Sequence, residues 1–359
     1  MTFWRVQLNN SIVAPRLLFQ GFEFLSGVMT IQFQHTVGSP GLLDDENVLG
    51  PLAKWQSDGL KVAIVTLVGV EGGAPRQPGA QMAVAEDGRY AGYLSGGCLE
   101  GAVALEAQAV IRTARPRLVR YGKGSPYFDV KLPCGSGLDL YFDPTISSLL
   151  VADMLARTAA RTPFVLRTHL VDGRSDIETV TVSPHGIEAS RRDGDKFARI
   201  YAPKLKTVLL GHGPALVAMA SLATALGIDV AIYASDDLTL ADLDRRGLQH
   251  TAVTSDAVSA IRKLDFASAS VLMFHDHEQE PDLLSSILES QAFYIGALGN
   301  HAVHRARLKA LSDRGFDDAT LARIKAPVGM ISGAKSKATV AISALGELMA
   351  EAKARNLIS

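Results

Sequence analysis

The sequence predicts an α/β protein in which an amino-terminal mixed α+β domain is followed by a Rossmann-like parallel-sheet domain. The chain has 359 residues, which at roughly 150 residues per domain is enough for about two domains. Before residue 145, short strand-like runs surround one main helical segment, which is typical of an α+β domain. After residue 204, strand-like and helix-like segments alternate, which indicates a parallel sheet with helices on both faces.

The charge balance and the composition narrow the classes of function. Lys and Arg number 36, Asp and Glu number 37, and 47% of the residues are hydrophobic. Such a chain folds and has no general attraction for nucleic acid or anionic lipid, so we expect neither partner. No run reaches the roughly 20 apolar residues of a membrane-spanning helix. The 2 cysteines are too few for a disulfide framework and favour a reducing, cytoplasmic location.

Residues 1–45 are predicted to be an amino-terminal extension of open relevance. Four residues interrupt its apolar clusters: Pro15, Arg16, Gln20 and Glu23. These interruptions exclude the apolar core of a signal peptide. The segment is either a loosely attached extension or a stretch upstream of a true start at Met29, and we assign no function to it.

Residues 46–203 are predicted to form the first domain and its connector. Strands are predicted at Lys61–Val70, Gln81–Ala85, Arg89–Tyr93, Arg117–Tyr121 and in LDLYF, residues 138–142. The main helix is predicted over Leu99–Arg112, because its apolar residues recur on one face. A helix over Ile146–Ala160 and short alternating strands continue this domain, and residues 194–206 are predicted to cross to the next one.

Residues 204–359 are predicted to form the Rossmann-like domain. Strands are predicted in KTVLL (206–210), at Asp229–Tyr233, in SVLMFH (270–275) and in AFYIGAL (292–298). Between and after them, helices are predicted at Pro214–Leu226, Pro281–Ser290 and Lys337–Ala354. This order is that of a doubly wound sheet.

A glycine-containing turn, Gly211-His212-Gly213, follows KTVLL and begins a helix, which is the context of a dinucleotide-binding fingerprint. Three features weaken it. Pro214 has no N–H for a phosphate, and Leu216 stands at the third glycine position and is expected to crowd the packing of helix on strand. The acid that usually binds ribose is missing, or displaced to Asp236. The turn therefore either binds a nucleotide or phosphate through Gly211 and Gly213 or is kept for architecture alone.

The segment that we call the cysteine loop, Ser95 to Gly101, carries more chemical information. Gly96 and Gly97 allow a ligand to approach the backbone closely, and the following helix directs its positive end toward Cys98. A thiol in this position is suited to be a nucleophile, a soft metal ligand or a sulfur carrier. The alternative is a small thiol packed under a turn.

Two further loops carry candidate residues. Cys134 and Gly135 lie in LPCGSG, so a second thiol occupies a glycine-containing loop, and the two cysteines either converge on one pocket or pair as a disulfide. Arg76 lies in APRQPGA, where proline stiffens the chain. Its guanidinium is suited to a phosphate or a planar heterocycle, and the alternative is a solvated surface arginine.

Eight segments together resemble the xanthine dehydrogenase accessory protein family (XdhC/CoxI). They are VEGGAPRQPGAQM, LSGGCLEGAV, RYG, LPCGSG, LLGHGPALV, HDHE, FYIGALGN and RIKAPVGMISGAKSKATVAIS. They occur in the family's order from about Leu60 to Ala350. The resemblance implies an amino-terminal cysteine-containing domain and a carboxy-terminal Rossmann domain, as the pattern of elements also predicts.

The resemblance also implies a function. Family members are implied to bind the molybdenum cofactor (molybdopterin), to protect it while a cysteine desulfurase supplies sulfur, and to deliver it to a xanthine dehydrogenase-type enzyme. It implies that Cys98 and Cys134 contact molybdenum or relay sulfur, that Arg76 and Glu100 line the pocket, and that Gly211 and Gly213 hold a phosphate or nucleotide. The remaining candidate cofactor contacts are Ser95, Gly96, Gly97 and Gly135.

The chain departs from the family pattern in the Rossmann half, and this leaves other functions open. Asn300-His301-Ala302-Val303-His304 stands where relatives carry two arginines, which puts anion binding there in doubt. We therefore expect a maturation chaperone more than a catalyst. An NAD(P)-binding oxidoreductase and an assembly protein that has lost ligand binding are the alternatives. Homodimer formation is left open, because no residue indicates it.

Overall fold

In the described part of the chain, the strands form one short hairpin and three larger sheets. The computed structural model describes residues 24–25, 28–29, 48–125, 135–253, 255–274 and 280–358. The hairpin pairs β1 (Phe24–Leu25) with β2 (Val28–Met29) inside the amino-terminal extension. The predictions about the rest of that extension lie outside the described residues.

The first sheet is antiparallel and has the strand order β5-β4-β3-β7-β6. Its elements and those around it, in chain order, are α1 (Leu49–Ser57), β3 (Val62–Glu71), β4 (Gln81–Ala85), β5 (Tyr90–Ala91), α2 (Glu100–Thr113), β6 (Arg117–Gly122), β7 (Gly137–Asp143) and α3 (Ser148–Ala159). Successive side chains of strand β3 point to opposite faces of the sheet, and both faces are covered. Ala63 and Val65 pack in the cluster that contains α2, whereas Val62 and Ile64 pack in the cluster that contains α1 and α3.

The register of this sheet brings three connecting segments to one end. Glu71, at the end of β3, pairs with Gly137 at the start of β7, and Gly122, at the end of β6, also pairs with Gly137. Gln81, the first residue of β4, pairs with Thr66 in the middle of β3, so the segment between β3 and β4 leaves from this end and rejoins the sheet partway along β3. The chain after β5 runs past Gln81 as well, because a Cβ at Gly92 would collide with the Gln81 carbonyl oxygen. We call this end of the sheet the loop end.

The second sheet packs, together with α1 and α3, on the face of the first sheet opposite α2. Its antiparallel strands, in the order β10-β11-β8-β9, are β8 (Phe164–His169), β9 (Ser175–Thr179), β10 (Arg191–Asp193) and β11 (Lys196–Tyr201). Phe197 and Leu170 of this layer pack on Val68 and Tyr141 of the first sheet. The segment predicted as a crossing, residues 194–206, therefore contains β11, and only residues 202–205 connect it to the next strand.

The third sheet is parallel, as predicted, with the order β14-β13-β12-β15-β16-β17. Its strands are β12 (Lys206–Gly211), β13 (Asp229–Ala234), β14 (Thr251–Ala252), β15 (Ser268–Met273), β16 (Tyr294–Ala297) and β17 (Ile324–Lys325). Its helices are α4 (Pro214–Ala225), α5 (Asp237–Arg245), α6 (Ser255–Arg262), α7 (Glu280–Leu288), α8 (His301–Ser312), α9 (Asp318–Leu321) and α10 (Lys337–Ala354).

Helices cover both faces of the parallel sheet. Side chains of α4 and α10 pack with one face, and side chains of α7 and α8 pack with the other. This arrangement confirms the predicted fold class, a mixed amino-terminal part followed by a Rossmann-like part. Over the described ranges, none of the helices combines the length and apolar character needed to cross a bilayer.

Candidate functional site

The cysteine loop lies at the loop end of the first sheet and leads directly into α2. Gly96 and Gly97 have φ values of +77° and +106°, a backbone conformation that side chains with a Cβ rarely adopt. A Cβ on either glycine would meet no atom within 4 Å, so both face open space. Cys98 is exposed and its thiol is free. The loop therefore presents a thiol and two open glycine backbones just before a helix N-terminus.

Glu100 lies beneath this loop rather than on its exposed side. It is the first residue of α2, yet it is only 2% exposed. Its Oε1 accepts hydrogen bonds from the backbone N–H groups of Leu94 (2.9 Å) and Ser95 (2.8 Å). Its Oε2 accepts from the Leu99 N–H (3.0 Å) and from the Ser95 hydroxyl (2.9 Å). The carboxylate thus contacts both ends of the loop.

The electrostatics of Glu100 match an ionised buried carboxylate. Burial on its own raises the pKa of this group, because it penalises the charged form. The backbone N–H groups of Ser95 and Leu94 lower the pKa, and the hydrogen bond from the Ser95 hydroxyl lowers it further. The hydrogen bonds prevail, so the pKa lies below the ordinary glutamate value. The group is therefore charged at neutral pH.

The other predicted residues of this part lie on neighbouring segments at the loop end. Arg76 is half-buried between β3 and β4, and Gly135 is exposed before β7. Ala74, from the segment that carries Arg76, packs in the same apolar cluster as Leu94 and Leu99 of the cysteine loop region. Cys134 lies outside the described residues. Whether Cys98 and Cys134 share a pocket therefore stays a prediction.

A set of paired charges at the loop end was not predicted from the sequence. Arg120 contacts Glu71, and its Nη1 lies 3.1 Å from Asp139 Oδ2. Lys123 Nζ lies 2.8 Å from Glu71 Oε1, and this hydrogen bond lowers the pKa of Glu71. The strand pairing of Arg120 with Asp139 could have been proposed from alternation in β6 and β7. Two cations and two anions balance, so this group adds no net charge to the site.

The glycine turn of the parallel sheet is occupied by contacts within the protein. The Gly213 N–H donates to Thr239 Oγ1 (2.8 Å), and the His212 N–H donates to the Met273 carbonyl (3.2 Å). A Cβ at Gly211 would collide with that same carbonyl oxygen, so the close approach of β12 and β15 requires glycine there. These contacts use two of the N–H groups that a phosphate would need.

The residues around this turn also have structural partners. Leu216 is fully buried in the cluster shared by α4 and α10, so it fills the packing between helix and strand rather than crowding it. Asp236, the displaced ribose-binding acid of the sequence prediction, is the N-cap of α5 and accepts from the Thr239 N–H at 3.0 Å. The geometry of the turn thus serves packing and helix capping.

No set of three or more His, Cys, Asp and Glu side chains in the described ranges is arranged to hold a metal ion. Because Cys134 lies outside the described residues, the predicted metal contacts of Cys98 and Cys134 stay a prediction.

Comparison with known proteins identifies the family. The family model for the XdhC and CoxI family matches residues 55–122, and the model for the XdhC Rossmann domain matches residues 207–348. The molybdenum cofactor insertion chaperone PaoD of Escherichia coli K12 is 35% identical over 305 residues, which cover 85% of this chain and 88% of PaoD. The chain belongs to the XdhC and CoxI family.

Two further proteins that resemble this XdhC and CoxI chain are more distant. One, from Bacillus subtilis 168, is named as a probable xanthine dehydrogenase component and is 24% identical over 80% of this chain and 92% of its own length. The other is a Bacillus halodurans protein named xanthine dehydrogenase, whose crystal structure superposes with a TM-score of 0.64 at 22% identity. That match covers 87% of this chain and 96% of the other, and it shows a shared fold.

The XdhC and CoxI match covers the candidate residues unevenly. The first family model includes Arg76 and the cysteine loop and ends at residue 122, before Cys134. The Rossmann model includes Gly211 and Gly213. Within the first range the structure brings Arg76 and Cys98 to the same end of one sheet.

Proposed function

We propose that this protein binds the molybdenum cofactor at the loop end of the first sheet and delivers it to a xanthine dehydrogenase-type molybdoenzyme. The name of PaoD, a molybdenum cofactor insertion chaperone, supports this function for a chain that is 35% identical to it. The observation that carries the proposal is the free, exposed thiol of Cys98 on an open glycine loop.

The chemistry of the loop suits this cargo. A thiolate is a soft ligand and therefore matches a metal held in a sulfur-rich environment. The N–H groups of Gly96 and Gly97 precede a helix N-terminus, where partial positive charge favours the phosphate of the cofactor. We assign contact with the metal or with sulfur to Cys98 and Cys134, and contact with the rest of the cofactor to Arg76, Gly96, Gly97 and Gly135. Ser95, which the sequence also predicts as a contact, is buried beneath the loop and is assigned none.

This function requires at least two protein partners. We propose that a cysteine desulfurase supplies sulfur while the cofactor is held on the loop, and that the molybdoenzyme then receives the cofactor. We also propose a cytoplasmic location and assembly as a homodimer. Pull-down with each purified partner tests the two partner interactions, and size-exclusion chromatography with light scattering tests the homodimer.

Co-purification from a molybdenum-replete host tests the cofactor assignment. Metal analysis and pterin fluorescence after oxidation are compared for the wild type, Cys98→Ser and Cys134→Ser, each checked for an unchanged thermal unfolding temperature. Cys98→Ser replaces only sulfur by oxygen, so we expect it to lose pterin while it stays folded. A wild type that carries no pterin and cannot be loaded with it contradicts the proposed function.

We propose that the parallel sheet domain supports the site architecturally, without a nucleotide on its glycine turn. The engagement of the Gly213 N–H by Thr239 supports this assignment over the NAD(P)-binding oxidoreductase. Titration with NADH tests it, because micromolar affinity at that turn contradicts the architectural assignment.

A further inference from the structure

The crest of the cysteine loop, defined as Gly96, Gly97 and Cys98, makes no backbone hydrogen bonds that would hold it. Across the residues that the structure describes, no backbone carbonyl accepts the N–H of any of the three. Two of them are glycines with positive φ, and a glycine loses more conformational freedom on ordering than other residues. A crest of this kind needs an external constraint if it is to keep one conformation.

Glu100 supplies contacts at both ends of that crest. Before the crest, its Oε1 accepts from the N–H groups of Leu94 and Ser95. After the crest, its Oε2 accepts from the N–H of Leu99. A single carboxylate therefore fixes the distance between the two ends of the crest.

Ser95 links the two ends a second time. Its hydroxyl donates to Glu100 Oε2 at 2.9 Å and accepts from the Leu99 N–H at 2.9 Å. Ser95 is buried, so water does not compete freely for these contacts. The carboxylate and the hydroxyl together form a hydrogen-bond network beneath the crest that joins its two ends.

The carboxylate of Glu100 is held within this hydrogen-bond network and points away from the open side of the loop. Its burial at 2% exposure leaves it no surface for a large ligand. The pocket-lining role that the family resemblance implies for Glu100 therefore differs from its position in the structure. Its contacts are with the backbone on either side of Gly96, Gly97 and Cys98.

We propose that Glu100 is a positioning residue for the cofactor loop, and this inference rests on the proposed function. Its buried carboxylate holds the crest in the conformation in which the Cys98 thiol and the Gly96 and Gly97 N–H groups meet the cofactor together. It contributes no direct contact to the cofactor. Cofactor affinity then depends on Glu100, while the first sheet stays folded when the carboxylate is replaced.

Glu100→Gln is the most informative change. The amide keeps the size of the side chain but replaces one accepting oxygen by an NH₂ group. A donor then faces a donor, either at the Leu99 N–H or at the N–H groups of Leu94 and Ser95. Glu106→Gln is the matched control, because Glu106 is a half-buried carboxylate on the same helix that pairs with Arg117 at the surface. Ser95→Ala removes only the hydroxyl link and leaves the three backbone contacts of the carboxylate.

The full-length variants are tested in two ways. Each is titrated with molybdenum cofactor freshly released from a purified molybdoenzyme, and amide hydrogen exchange is followed for Leu94, Ser95 and Leu99 and for strands β3 and β7. Loss of hydrogen bonds to a charged group predicts that affinity falls about tenfold or more in Glu100→Gln, by less in Ser95→Ala, and not in Glu106→Gln. Exchange of the three loop amides accelerates in Glu100→Gln, whereas β3 and β7 stay protected.

Three results overturn the inference. One is a Glu100→Gln protein whose affinity for the cofactor is unchanged. Another is a loss of affinity in both Glu100→Gln and Ser95→Ala that comes with equal loss of protection in β3 and β7, because Glu100 then serves the fold. The third is unchanged hydrogen exchange of the Leu94, Ser95 and Leu99 amides in Glu100→Gln, whether or not the wild type binds the cofactor. A wild type that binds no cofactor refutes the proposed function, and the exchange measurement still decides whether Glu100 orders the crest.

Discussion

Thr239→Val tests the interpretation that the glycine turn of the parallel sheet is an architectural element. Thr239 Oγ1 accepts the Gly213 N–H at 2.8 Å, and Thr239 is 5% exposed. Valine keeps the shape of the side chain and removes the acceptor. The N–H of Gly213 then loses its partner, while the helix cap that Asp236 forms with the Thr239 N–H remains.

The size of the effect follows from the burial of the two partners. Leaving a buried donor without an acceptor costs about 1–3 kcal/mol. Gly213 is half-buried, so water reaches part of it and the lower half of that range, about 1–2 kcal/mol, applies. For a unit of roughly 150–250 residues, each kcal/mol lowers the unfolding temperature by about 2–4 °C. We therefore expect a decrease of about 2–8 °C.

Differential scanning calorimetry of the wild type, Thr239→Val and Thr239→Ser measures this decrease. Serine keeps the hydroxyl acceptor, so Thr239→Ser is expected to unfold nearer to the wild type than Thr239→Val does. The same proteins are titrated with NADH, and no binding is expected in any of them. Equal unfolding temperatures for the valine and serine variants refute the structural argument, and NADH binding that appears in Thr239→Val refutes the architectural assignment.

Two further predictions concern buried charges. Arg307→Met is expected to destabilise the protein by about 3–5 kcal/mol, because Glu280, which pairs with Arg307 at 2.8 Å and is 1% exposed, loses the cation beside it. Urea unfolding checks this, and a loss below about 1 kcal/mol contradicts it. The pKa of Glu100 in the folded protein lies below the ordinary value of 4.5. The ionised carboxylate therefore stabilises the folded protein above pH 4.5, and this contribution to the free energy of unfolding is lost as the pH falls through the folded-state pKa. Thermal unfolding from pH 7 to about pH 3 should show the gap between wild type and Glu100→Gln narrow in acid, and a constant gap contradicts the pKa direction.

Long, periodic elements could be predicted from the sequence with little error. Strand β4 and helix α10 have the predicted bounds, and α2 differs from its prediction by one residue at each end. Apolar periodicity carries this information within one segment, so no tertiary contact is needed to find it.

Elements with weaker local signals were missed. Helix α1 begins at Leu49 and includes Gly50 and Pro51, which look like a turn, although a proline is tolerated in the first helical turn. Leu49, Leu52 and Trp55 form its buried face and could have revealed it. Strands β14 and β17 have two residues each, too few for any period to be visible.

The roles of single polar side chains could not be predicted, because they depend on contacts across the chain. An acidic residue after a cysteine loop favours a ligand contact, whereas Glu100 turns back to bind the backbone beneath that loop. The engagement of Gly213 by Thr239 joins residues 26 positions apart, and no local pattern encodes it. Both contacts change how the candidate site is understood.

The central claim is that the cysteine loop binds the molybdenum cofactor through Cys98. The most direct test titrates full-length wild type and Cys98→Ser with molybdenum cofactor released from a purified molybdoenzyme and measures bound pterin by fluorescence. We expect saturable binding by the wild type and a loss of affinity of about tenfold or more in Cys98→Ser, since oxygen is a poor substitute for a soft thiolate ligand. Equal binding by the two proteins, or no binding by either, contradicts the claim.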